Sequence, residues 1–149
     1  MKDNILGPNA FDWMGTSYNT TLSSKETDGR MSIVDSVSPA GYGPPRHIHK
    51  AEDEALVVLS GEIECWLAGE TRIYGPGTVA FIPRGVEHTF RVIGEKPSRH
   101  LIVLTPGGFE GFFAEMSREN RRIPEDMEAV VAAAERYNLE FTGPPLGAE

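Results

Sequence analysis

The stretch HIHKAEDE, residues 47–54, gathers two histidines and a run of acidic side chains. His47 and His49 are two positions apart, so on an extended strand both imidazoles project to the same face. Paired imidazoles of this kind can hold a divalent transition metal at about 2.0–2.1 Å. Glu54 follows Lys50-Ala51-Glu52-Asp53, a polar stretch able to turn the chain and bring a carboxylate back beside the histidines. Glu52 or Asp53 could serve instead, and strand register favours Glu54. Downstream, GTVAFIPRGVEHTF, residues 77–90, sets Pro83 and Gly85 in a tight connection and puts His88 on the strand that follows.

These residues need rigid strands to hold them. From about Ser17 to Thr105 the chain reads as short strands separated by turn residues, the spacing of a sandwich or barrel. Asp28-Gly29 and Gly69-Glu70 are expected hairpin turns. In the segment at 61–68, Ile63, Cys65 and Leu67 share one face and Glu62 and Glu64 the other, which makes Cys65 a small core residue. Val57, Val58 and Leu59 are continuously apolar, as expected of a strand covered on both faces. Gly75-Pro76-Gly77 is another turn, and Pro83-Arg84-Gly85 is compact enough to join adjacent antiparallel strands. Residues 99–105 close the series.

After Pro106 the two-residue period is lost. Met127, Val130, Val131 and Ala134 follow helical spacing, and Pro124 suits a first turn. LEFTGPP, residues 139–145, can add an edge strand. The architecture predicted is all-β, a small antiparallel barrel with a C-terminal helical arm, in a single domain over 1–149 with its core at about 17–105 and the arm at about 109–138.

A net charge of −8 repels phosphate backbones and anionic lipid surfaces, so neither nucleic acid nor membrane is an expected partner. Arg118, Arg121 and Arg122 lie among acidic residues and read as a solvated helix surface. Cys65 is the one cysteine, so no internal disulfide forms. With no apolar run in MKDNILGPNAFDW, the expected location is the cytoplasm. His100, inside an apolar strand, reads as a satisfied barrel histidine. Arg46, one position from His47, is aimed at the opposite face. By the two-residue period Leu56, Val58 and Phe90 share a face with Glu54 or His88 and are candidate pocket walls. Phe109, Phe112, Phe113 and Met116 can cap the barrel mouth or pack, and packing is favoured.

The two chemistry-bearing segments together resemble the paired signature of the cupin family. The first runs from Gly41 over five residues to His47, Ile48 and His49, over four to Glu54, and over six to Gly61. In the second, five residues separate Gly77 from Pro83-Arg84-Gly85 and two more precede His88, with fifteen residues between Gly61 and Gly77. One departure is Val92, where the signature often ends in Asn, which removes one structural hydrogen bond but no ligand. YGPPRHIH, PGGFEGFFAEM and LEFTGPPL are similar to the quercetin-dioxygenase-like single-domain cupins of bacteria.

The resemblance implies a jelly-roll barrel and a site of His47, His49, Glu54 and His88 holding a divalent transition metal, Fe2+ in the first place, with Ni2+, Mn2+ or Co2+ also suited. It further implies a metal-dependent dioxygenase that uses O2 to cleave a small aromatic or enolisable substrate of the flavonol or β-diketone kind, with Glu54 doubling as general base. The same ligands would serve an isomerase, lyase or cyclase using the ion as a Lewis acid, and the barrel would also serve as a non-catalytic small-molecule-binding module. A homodimer follows from family habit and from the apolar C-terminal arm.

Overall fold

The computed structural model describes residues 5–148. Ten strands come first: β1 (Phe11–Trp13), β2 (Thr16–Leu22), β3 (Ser32–Ser38), β4 (Pro45–His49), β5 (Asp53–Ser60), β6 (Glu62–Leu67), β7 (Glu70–Tyr74), β8 (Val79–Ile82), β9 (His88–Ile93) and β10 (Ser98–Thr105). Two helices, α1 (Glu110–Arg118) and α2 (Met127–Arg136), precede a last strand, β11 (Leu139–Pro145). A six-stranded sheet in the order β1-β2-β3-β10-β5-β8 faces a five-stranded sheet in the order β11-β4-β9-β6-β7. The pairings are antiparallel. This is the all-β barrel with a helical C-terminal arm that the strand spacing predicts, in the jelly-roll form that the resemblance implies.

Alternation makes the core. Val34, Leu56, Val58, Ile102 and Leu104 point inward from the six-stranded sheet and meet Ile63, Cys65 and Val92 from the other. Burying each large apolar side chain contributes roughly 1.5–3 kcal/mol. Gly61, which ends the first signature, has φ +76, and a Cβ there would lie 2.4 Å from the Pro97 carbonyl oxygen. Only glycine fits a left-handed turn against another backbone. At Val92 the barrel does without the Asn: the Val92 N–H donates to the Tyr42 carbonyl at 2.8 Å and its carbonyl accepts from Gly41 N–H at 2.9 Å.

Four local expectations are corrected. The β6–β7 hairpin turns at Ala68-Gly69, φ 48 and 94, one residue earlier than read, because both central positions of such a turn need positive φ and Gly69 fills the second. Asp28 and Gly29, also at positive φ, sit inside a longer loop between β2 and β3 closed by Gly29 N–H on the Ser24 carbonyl at 2.8 Å. Pro83-Arg84-Gly85 does not join neighbours; it carries the chain from β8 on the edge of one sheet to β9 inside the other. Val58 is sealed, but Leu59 is 44% exposed, so the strand of Val57 to Leu59 is covered on one face only.

The arm packs on the barrel. Phe109, Phe112 and Met116 are buried with Trp13, whose indole N–H donates to the Arg121 carbonyl. Helix α2 starts three residues after Pro124 and buries Val130, Ala133 and Ala134, whereas Val131 is exposed. β11 then returns to pair with β4. Part of the reading of the first residues as lacking a leader falls on residues 1–4, outside the described residues. Among the described residues no helix is long and apolar enough to cross a membrane.

Candidate metal centre

His47 and His49 share the inner face of β4, and β4 meets β9 in register at His47 and His88. All three imidazoles thus come from the five-stranded sheet, and one ring nitrogen or the other of each lies within 4.8 Å of the others. The carboxylate comes from across the barrel. Glu54, near the start of β5, places Oε1 3.2 Å from His88 Nε2 and Oε2 3.6 Å from His49 Nε2. The neighbouring acids go elsewhere. Asp53 points outward and accepts from the Arg84 backbone N–H at 2.9 Å, and Glu52 lies behind His49.

Two tautomers are set by the backbone. His47 Nδ1 donates to the Pro45 carbonyl at 2.7 Å and His88 Nδ1 to the Val86 carbonyl at 2.9 Å. Since a carbonyl can only accept, both protons sit on Nδ1 in the neutral rings and both Nε2 atoms keep a lone pair. His88 Nε2 is buried with no properly directed hydrogen bond. Burial, then the nearby His88 and His49, push the His47 imidazole well below its usual range, and burial also lowers His49. Burial alone would lower His88 too, but the Glu54 carboxylate beside it brings a net rise. Glu54 is fully buried, which favours its neutral form, yet the charges of His49 and His88 hold it at about 2. Imidazole nitrogens converging on an ionised carboxylate, in a place where a buried nitrogen is otherwise left unpaired, fit a divalent cation.

The cluster forms the polar end of a cavity of about 210 Å³. Leu56 and Phe90 line it, while Val58, completely buried, is not among the lining residues. Phe109 sets its ring at 88° to His49 with centroids 4.5 Å apart, so the arm supplies cavity wall as well as packing. Sequence reading missed the opposite wall, where Trp13, Tyr18, Tyr42 and His100 face the space. Burial raises the Tyr18 and Tyr42 phenols and pulls His100 down to about 4, so these groups face the cavity uncharged at neutral pH. Tyr18 alternates with Thr16 along β2, a cue in the pattern; nothing local announces that β1 and Trp13 close the end.

The class is now defined: a double-sheet β-barrel with a histidine cluster on its inner wall. Residues 34–104 match the Cupin domain family. A quercetin 2,3-dioxygenase of Bacillus subtilis (strain 168) is 31% identical over 96 residues, which cover 64% of this chain and 28% of that protein. The match therefore spans little more than a quarter of that relative. The structure of KdgF from Halomonas sp. has a TM-score of 0.63 and 20% identity, covering 70% of this chain and 93% of the other. The polyketide cyclase RemF from Streptomyces resistomycificus has a TM-score of 0.54 and 27% identity over 69% of this chain and 71% of its own. Together these likenesses support a cupin superfamily protein.

Proposed function

We propose that this cupin is a metal-dependent dioxygenase that oxidatively cleaves a small aromatic or enolisable substrate of the flavonol or β-diketone kind. The observation that supports it best is three imidazoles and an ionised carboxylate at the end of a mainly apolar, aromatic-walled cavity of about 210 Å³. His47, His49, Glu54 and His88 are the proposed ligands. A divalent transition metal, Fe2+ first and Ni2+, Mn2+ or Co2+ as alternatives, supplies a Lewis acid for an enolate or phenolate oxygen and a route for electrons to O2. The chain does the rest. Phe90, Phe109 and Leu56 exclude water and hold a flat ring edge-on to the cluster. Glu54 accepts the enol or phenol proton on a carboxylate oxygen. The Bacillus relative, named for a dioxygenase reaction, supports the same reading.

Oxygen-electrode assays of Fe-, Mn-, Co- and Ni-loaded protein against flavonols, dihydroxyaromatics and β-diketones test it. Uptake stoichiometric with substrate, lost in His47→Ala and His88→Ala, is expected; no uptake across the panel overturns it. The likeness to RemF favours a second reading, a Lewis-acid cyclase, isomerase or lyase, and turnover that persists without oxygen decides for it. Small-molecule binding that survives both histidine substitutions unchanged decides instead for a non-catalytic binding cupin.

A second copy of the chain is the proposed partner. Val79 and Phe81, 51% and 58% exposed, lie on the open edge strand β8, beside outward-facing Ala55 and Val57 of β5. Asp35 pairs with Arg99 at 2.8 Å and Asp53 with Arg84 at 3.4 Å, so two copies can stack there despite a net charge of −8 each. Sedimentation showing a dimer that Phe81→Glu converts to monomer is the expected result.

A further inference from the structure

The three imidazoles are not supported alike. His47 and His88 each give the Nδ1 hydrogen to the backbone carbonyl two residues earlier, Pro45 and Val86, at 2.7 and 2.9 Å. His49 Nδ1 has no hydrogen bond, although His49 is only 3% exposed. Facing it at 3.8 Å is Glu52 Oε1, on a side chain 5% exposed, and that oxygen also has no partner. A buried donor and a buried acceptor, both unsatisfied, thus look at one another across a gap roughly 1 Å longer than a hydrogen bond. Each unmade bond costs about 1–3 kcal/mol, so a buried pair of this kind calls for a cause. A small rotation of either side chain closes the gap. Phe109, stacked edge-on against His49 at 4.5 Å, limits how far the imidazole itself can tilt.

Resting on the metal-centre reading above, we infer that Glu52 is the positioning carboxylate of the site: it accepts the Nδ1 hydrogen of His49 once His49 Nε2 is engaged by an ion. Drawing electron density off Nε2 makes the ring acidic at Nδ1, which shortens and strengthens a bond to a carboxylate. Glu52 in turn fixes the tautomer that leaves Nε2 free to ligate. The backbone does this service for His47 and His88; for His49, the last residue of β4, a side chain from the following turn does it. Glu52 is therefore not a competitor of Glu54 for the ion, although it is two residues away in sequence. It touches the opposite nitrogen of a ligand.

The experiment compares wild type, Glu52→Gln and Glu52→Ala by Co2+ titration calorimetry and, in Zn2+-loaded protein, by 15N NMR of the histidine rings. Wild type should take one ion and show a strongly hydrogen-bonded Nδ1–H on His49. Glu52→Ala should bind Co2+ 10–100-fold more weakly and lose that signature, with His47 and His88 resonances in place, and Glu52→Gln should fall between. Melting of the metal-free variants separates positioning from packing: a structural role lowers it, whereas the role inferred leaves it unchanged or raised. Variants that keep wild-type affinity within twofold and an unchanged His49 signal overturn the inference. If Glu52→Ala does not fold, Glu52→Gln decides by the same two readouts. Wild type that takes neither Co2+ nor Zn2+ overturns the metal-centre reading itself, a separate outcome.

Discussion

Outward positions on the five-stranded sheet carry charge. Glu64 of β6 pairs with Arg91 of β9 at 2.8 Å, and the Arg46 guanidinium of β4 lies 4.7 Å over the Trp66 ring. Outward positions on the six-stranded sheet are mostly apolar, Ile33 and Val37 of β3, Leu101 and Val103 of β10, Ala55 and Val57 of β5, and Val79 and Phe81 of β8, with Asp35 and Arg99 paired among them at 2.8 Å. An apolar outer face has to be covered by something else, whereas a charged one is stable in water. The sheets also divide the chemistry: the charged-backed layer gives three imidazoles and the apolar-backed layer a single carboxylate.

The division of ligands can be broken first. His88→Ala removes a donor from the layer that holds three, and is expected to lower Co2+ affinity by more than 100-fold by calorimetry; Glu54→Gln, on the other layer, is expected to lose less. Next comes the shared core. Phe112→Ala is expected to cost about 3–5 kcal/mol in denaturant unfolding, because the ring is 2% exposed and wedged between Trp13 and Phe109. On the inner face of β10, His100 sits at about 4, below its ordinary 6.5. The unfolded chain binds its proton first, so stability present above 6.5 is lost as pH falls through 4. Metal-free protein is expected to lose up to about 3 kcal/mol over that window, and His100→Gln to flatten the loss. The smallest effects belong to the outer faces. Phe81→Glu and Arg91→Ala are each expected to change monomer stability by less than about 1 kcal/mol, with only Phe81→Glu altering self-association.

Parity and turn chemistry made much of this legible beforehand. The i, i+2 spacing of His47 and His49 already implied a shared face, and turn glycines such as Gly69 and Gly77, both at positive φ, marked where strands end. What stayed hidden depends on pairing between distant segments. Val57 to Leu59 read as covered on both faces because hydropathy cannot tell an inner strand from one next to an open edge. Pro83-Arg84-Gly85 read as a hairpin because a tight turn looks the same whether it joins neighbours or crosses between layers. Glu52 was weighed only as a stand-in for Glu54, since its burial behind His49 follows from how the turn after β4 folds back. Trp13 and Tyr18 reach the cavity because β1 and β2 wrap onto β3, a contact with no local signature.

The donors of the cluster sit on both layers of the barrel, with Glu54 reaching His88 across the interior at 3.2 Å. An ion held by the proposed ligands would work as a rivet through the two walls, and parting the walls would mean letting go of it. Thermal resistance is then expected to track free-ion concentration: at an ion level 100 times the dissociation constant the folded state would gain about 2.7 kcal/mol. A chelator should soften the whole barrel, including strands far from the rivet.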